Sequence, residues 1–242
     1  MSWLSPDGLT ALTLSLKVAG WATAIGLPLA LAVAYALARL RFPGRGLLNI
    51  AVHMPLIMPP VVTGYLLLLG FGPQGPLGRV FHDVFGLTFA FRWTGAALAA
   101  GVMGFPFMVR AIRLSLEAVD PRLEQAAATL GAPRFQVFRT ITLPMIVPGL
   151  LAGAVLAFAK GMGEFGATIT FVSNIPGQTQ TLPLAIDLAL ETPGGEGQAL
   201  RLALLSLTIA AAALVLSEWL SRRVAARIAG QTTAKVEEAA QI

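Results

Sequence analysis

The chain has no cysteine, two histidines and only three lysines (Lys17, Lys160 and Lys235) in 242 residues. Without cysteine there is no disulfide, no thiolate metal site and no thiol nucleophile. His53 and His82 are too few for an all-protein zinc site of the usual kind. Charge is scarce as well: 12% of residues are charged and 56% hydrophobic, with a mean hydropathy of +0.75. Soluble domains carry about twice that charge, so the composition is that of a polytopic membrane protein. The net charge of +5 would suit a nucleic-acid binder. Its basic residues lie in loops between apolar runs, however, where they read as topology signals, and nucleic-acid binding is set aside. No cleavable leader is expected either. MSWLSPDGLT has no basic n-region and the apolar run after it is too long for an h-region, so the first span is expected to be retained.

What is present is apolar length. A span needs about 20 apolar residues to cross roughly 30 Å of hydrocarbon, and 11–38, 47–71, 94–112, 145–170 and 199–219 qualify. A sixth stretch, 182–190, is short and holds Pro183 and Asp187; it reads as a re-entrant or interfacial segment. Five spans put Arg39, Arg41, Arg45, Arg110, Arg113, Arg122, Arg134, Arg139, Arg222, Arg223, Arg227 and Lys235 on one side. Only Arg79, Arg92 and Arg201 fall on the other. The basic side is the cytoplasmic one, which places the amino terminus outside and the carboxyl terminus inside. Trp3, Trp93 and Trp219 near span ends read as interfacial anchors, and Trp21 as core or lipid-facing. The expected organisation is one transmembrane domain over 1–230, with a cytoplasmic loop at 113–144 and a mobile polar tail at 231–242. No internal repeat is visible.

The inner loop carries the most specific pattern. Asp120 can cap a helix that opens at Pro121, Glu124 suits its positive end, and Gly131 suits the position just past its carboxyl end. Gln125, Ala126, Ala127 and Leu130 offer small and apolar surface, and Pro133 blocks continuation. An amphipathic run from Arg134 leads to Leu143 and Pro144 at the membrane. By physics alone this is either a plain connector between two spans or a socket for a soluble partner.

The loop resembles the EAA-x3-G-x9-I-x-L-P element by which permeases of bacterial ABC importers dock on their ATPase. Gln125-Ala126-Ala127, Gly131, Ile141, Leu143 and Pro144 fall at that spacing. Gln125 stands where the pattern has Glu, and Glu124 lies one place earlier, so docking is expected to rest on small-residue fit more than on an ion pair. SLKVAGWATAIGLPLALAVAYALARLRFPGR, MPLIMPPVVTGYLLLL, GEFGATITFVSNIPGQTQTLPLAI and ETPGGEGQALRLALLSL are similar to the molybdate permease subfamily, nearly as far as Arg223. Tungstate and sulfate/thiosulfate permeases share weaker versions. The resemblance implies an all-α type I ABC importer permease fold and a homodimer. It also implies two cytoplasmic ATPase subunits that bind ATP and Mg²⁺, a periplasmic oxyanion-binding protein and molybdate as cargo. Glu124, Gln125, Ala126, Ala127, Leu130, Gly131 and Pro144 would be the docking residues. No cofactor is expected on this chain: a Walker A loop needs GK[ST], and none of the three lysines sits in one.

Within the membrane, Lys160 and Glu164 are four apart on one helix face, amid Gly161, Gly163 and Gly166. They read either as a neutralising structural pair or, for Glu164, as a neighbour of the permeation path. Thr63, Thr168, Thr170, Ser173 and Asn174, with Thr179 and Thr181 beyond, are pathway candidates, because neutral donors hold an anion without trapping it. Each could equally be a packing hydroxyl. His53 reads as a packed histidine. An intramembrane enzyme lacks converging nucleophile, base or metal ligands, and a stand-alone channel is the better alternative to a subunit of an importer.

Overall fold

The computed structural model describes residues 5–240, and every regular element among them is helical. Trp3 lies outside the described residues. In chain order the helices are α1 (Pro6–Arg39), α2 (Arg45–Ile57), α3 (Pro60–Phe71), α4 (Pro76–Phe85), α5 (Trp93–Ala118) and α6 (Pro121–Thr129). They continue with α7 (Arg134–Val137), a π-helical turn (Phe138–Thr142), α8 (Leu143–Met162), α9 (Gly166–Val172), α10 (Leu182–Glu191) and α11 (Glu196–Ala240). Four helical stretches are individually long and apolar enough to span a membrane, and α2 with α3 make a fifth if the bent pair counts as one.

Local chemistry sets the boundaries. Ser5 caps α1, its Oγ accepting from the Gly8 N–H at 3.1 Å, with Pro6 at the first position. The expected span at 47–71 is not one helix. Pro59 and Pro60 supply no N–H to continue the ladder, so α2 closes at Ile57, α3 opens at Pro60, and the axis turns by 119°. The expected span at 145–170 also differs. Helix runs unbroken from Arg134 to Met162, then stops at Gly163–Phe165 before α9. The run from Arg134 is therefore helically continuous with the span and not an irregular connector. Pro144 cannot donate to the carbonyl four residues back, and the wider π turn before it, where the Leu143 N–H reaches Phe138 O, accommodates that gap. α5 extends the third span to Ala118, and the backbone of α11 stays helical to Ala240, well past 219.

α1, α5 and α8 form the centre, packed through small residues as membrane helices are. Ala30, Ala34 and Leu37 meet Met108, Ile112, Leu116, Ile146 and Ala157 in one layer. A second layer joins Val18, Ala96, Ala99 and Met103 to Leu67 of α3 and Ala167 and Phe171 of α9. α10 is too short to span; its Leu182 N–H donates to the buried Ser15 Oγ at 2.7 Å, which fastens it to α1. Trp21 is half exposed on the outside of the bundle and so does not belong to its core.

α1 and α5 run parallel, in a register fixed at both ends. Arg39 Nη2 reaches Val119 O at 3.4 Å, and Lys17 Nζ lies 3.7 Å from the Trp93 ring centroid. From Lys17 to Arg39 a helix rises about 33 Å, close to the roughly 30 Å of bilayer hydrocarbon. The two contacts lie at opposite edges of the bundle, about one hydrocarbon thickness apart.

Candidate functional site

At the Arg39 edge, α6 stands off the bundle as the sequence suggests. The Asp120 carboxylate accepts from the Arg122 N–H at 2.9 Å and Pro121 opens the helix. Gly131 takes φ +83°, and the Gly131 and Ala132 N–H groups donate to Ala128 O and Ala127 O at 3.0 and 3.2 Å. Those two bonds make a Schellman close, which satisfies carbonyls left over at the helix end.

The two faces of α6 differ. Leu123, Ala126 and Leu130, at helical spacing, point away from the bundle; Leu130 is 89% exposed and Phe135 beyond it 74%. Gln125 is exposed as well, and Ala127 is half-buried. The Glu124 carboxylate instead faces inward. It accepts from Thr142 Oγ1 at 2.7 Å and pairs with Arg39 Nη2 at 3.3 Å. Thr142 lies in the π turn and Arg39 ends α1, so one carboxylate joins α6 to two membrane helices. Tyr35, one turn before Arg39, stacks edge-on against Phe138 at 5.6 Å. Pro144 sits half-buried in the first turn of α8 and shapes that helix. Arg39 and Thr142 have no signal in the sequence, because no local periodicity relates residues 18 and 85 positions apart in the chain to Glu124.

The second constellation is where two helix breaks meet. Gly166 opens α9 against Pro60, which opens α3: a Cβ on Gly166 would lie 2.7 Å from the Pro60 Cβ. One turn on, a Cβ on Gly64 would lie 2.5 Å from Ala167 O and 2.9 Å from the Thr170 Cβ. Only glycine admits this approach. Glu164, with its side chain 1% exposed, pairs with Lys160 Nζ at 2.5 Å and accepts from the Ala167 N–H at 3.0 Å. In a dry bilayer core the first amides of α9 have no water to bond, and Glu164 satisfies one of them. Its geometry is that of the structural pair.

The candidate hydroxyls divide. Thr63 is 4% exposed and its hydroxyl has no hydrogen-bond partner. Thr168 is buried, and Thr170 Oγ1 donates back to Gly166 O at 2.9 Å. Ser173 adopts φ 61° and ψ 179°, a region that costs a non-glycine residue about 1–3 kcal/mol. Thr179 Oγ1 holds it there by donating to Ser173 O at 2.8 Å while accepting from the Ile175 N–H at 2.9 Å. Asn174 Nδ2 donates to Leu184 O at 3.0 Å, and its Oδ1 is buried without a partner. Gly64 escapes a reading by residue type, since its importance lies in tertiary approach. His53 is half-buried, and its Nδ1 lies 2.8 Å from Asn49 O one turn back in α2.

A broken-helix bundle with an outstanding capped helix at one membrane edge is the architecture of ABC importer membrane subunits. The membrane subunit of a bacterial ABC transporter that imports the acidic polysaccharide alginate superposes with a TM-score of 0.71, at 18% identity over 90% of this chain and 80% of that one. An inward-facing MetNI methionine ABC transporter gives 0.61, at 14% identity over 90% and 94%. Residues 26–226 match the family of binding-protein-dependent transport system inner membrane components. The chain belongs to that family, and is a multi-pass permease of the bacterial inner membrane. It is 57% identical to the molybdenum transport system permease protein ModB of Escherichia coli K12, over 88% of this chain and 93% of that protein. ModB of Haemophilus influenzae is 54% identical, over 89% and 94%. The sulfate transport system permease protein CysT of Salmonella typhimurium is 36% identical, over 79% and 71%.

Proposed function

We propose that this chain is the membrane subunit of an ATP-driven importer of molybdate. It would act as a homodimer on two cytoplasmic ATPase subunits and receive cargo from a periplasmic binding protein. The observation that carries the coupling is the two-faced α6. Its apolar face at Leu123, Ala126 and Leu130 is open, while Glu124 on the other face is bonded to α1 and α8. A partner that moves α6 moves those two helices with it. Gln125, Ala127 and Gly131 complete the docking surface, and Pro144 positions the span that receives the motion. The cytoplasmic side of the membrane is the Arg39 edge and the amino terminus lies outside, in keeping with the arginine distribution.

Transport would then be a two-state exchange, driven because nucleotide binds the ATPase differently in the two states. The seam between α3 and α9 is the passage, lined by Thr63, Thr168 and Thr170, with Ser173 and Asn174 at its outer end. Lys160 and Glu164 cancel within that wall, so no net negative charge confronts a dianion. Molybdate is favoured over sulfate because the molybdenum permeases are the more similar relatives.

The test is uptake into proteoliposomes holding the permease with its ATPase and binding protein. Molybdate uptake should require ATP and both partners. Flux without ATP or ATPase would establish a channel and overturn the proposal, and uptake of sulfate in preference would move the chain to the sulfate class.

A further inference from the structure

The Lys17 edge of the bundle holds a feature that docking and passage do not use. Lys17, Arg92, Trp93, Thr94 and Gln178 line a cleft of about 590 Å³ between the outer half of α1, the start of α5 and the 173–181 loop. Its lining includes two cations and no carboxylate. Three other cations of the membrane domain are paired with carboxylates, Arg39 with Glu124, Arg113 with Glu117 and Lys160 with Glu164. Among the described residues no carboxylate pairs with Lys17 or Arg92.

Lys17 is held by the face of Trp93, a contact that fixes the ammonium without cancelling its charge. Arg92 is the exposed residue just before α5, next to amides that have no intrahelical acceptor. Gln178 adds a neutral donor from the loop that also carries Ser173 and Asn174. At about 30 Å³ per water, the cleft has room for a tetrahedral anion with part of its hydration shell. Two unpaired cations beside low-dielectric walls focus the field on such an anion. The cleft is open to solvent, which keeps binding weak enough for release.

We infer that this cleft is an oxyanion-receiving site, where a tetrahedral dianion first binds the permease on its way to the α3–α9 seam. The inference rests on the reading of the chain as an oxyanion importer subunit. Trp93 is a built-in reporter. With Trp3→Phe, Trp21→Phe and Trp219→Phe it becomes the sole indole, and the full chain in nanodiscs can be titrated with molybdate or sulfate without binding protein. The fluorescence should change saturably, and chloride at equal ionic strength should not reproduce the change. Arg92→Gln and Lys17→Gln should each raise the half-saturating concentration at least about tenfold. Arg92→Lys should restore most of the affinity, and Arg79→Gln, a cation outside the cleft, should leave it unchanged. A flat titration with both anions, an equal response to chloride, or an unshifted Arg92→Gln curve would overturn the site. If ATP-driven molybdate uptake persists while the titration is flat, this assignment alone falls. Absence of uptake with all partners present instead removes the functional reading.

Discussion

Leu130 and Glu124 lie within two turns of one helix, yet their substitution should have opposite signatures. The Leu130 side chain is almost wholly in solvent, so Leu130→Ser should change the unfolding of the permease by no more than about 0.5 kcal/mol. If it is an anchor for the ATPase, affinity between the subunits should fall about tenfold or more, as measured by titrating ATPase onto immobilised permease. Glu124→Ala should do the reverse. It removes a carboxylate bonded by Thr142 and Arg39, costing roughly 1–3 kcal/mol of permease stability. Docking should persist while ATP-driven uptake falls, because the helix is no longer tied to the spans. Retained uptake in Glu124→Ala would refute the tie. The sequence made Gly131 legible as a helix end, because positive φ is a property of one residue, and the structure gives it φ +83°. The bonds of Glu124 were not legible, because they depend on where α1 and α8 end in space. A Cβ on Gly131 would meet nothing within 4 Å, so Gly131→Ala acts through backbone strain of about 1–2 kcal/mol and not through a clash.

Between elements, the controlling fact is that two breaks coincide. Pro59 and Pro60 announce one and the glycines around Glu164 permit the other, but nothing local states that they adjoin. The close approach of α3 and α9 at Gly64 should make Gly64→Val intolerable. The added methyls would overlap Ala167 O and Thr170, and overpacking of this kind costs about 1–3 kcal/mol or forces the helices apart. Lower thermal stability in detergent with lost uptake is the expected result, and wild-type behaviour would mean the seam is not closed in the working protein. The Lys160–Glu164 pair should be asymmetric. Lys160→Met leaves a buried carboxylate without its cation and should destabilise by about 3 kcal/mol. Glu164→Gln keeps an acceptor for the Ala167 N–H and leaves a cation that is 31% exposed, so its loss should be smaller. Equal losses in thermal unfolding would show that the capping bond contributes little.

For the whole molecule, hydropathy located the apolar regions well but did not show where helices break within two of them. Apolar length alone cannot distinguish a straight span from a broken one, nor show that an amphipathic run such as Arg134–Val137 continues into a membrane helix. Arginine placement is the signal for orientation, and orientation determines whether α6 can meet a cytoplasmic ATPase at all. The absence of cysteine makes a clean test possible, since any introduced thiol is the sole one. Leu130→Cys and Gln178→Cys lie towards opposite ends of the α1–α5 register, whose two contacts are roughly 33 Å apart along α1. In intact spheroplasts a membrane-impermeant maleimide should label Gln178→Cys and spare Leu130→Cys until the membrane is opened. The reverse pattern would put α6 and most of the arginines outside, where no ATPase could dock. It would overturn coupling through α6 and the outer receiving cleft together, because both depend on which edge of the bundle faces the cytoplasm.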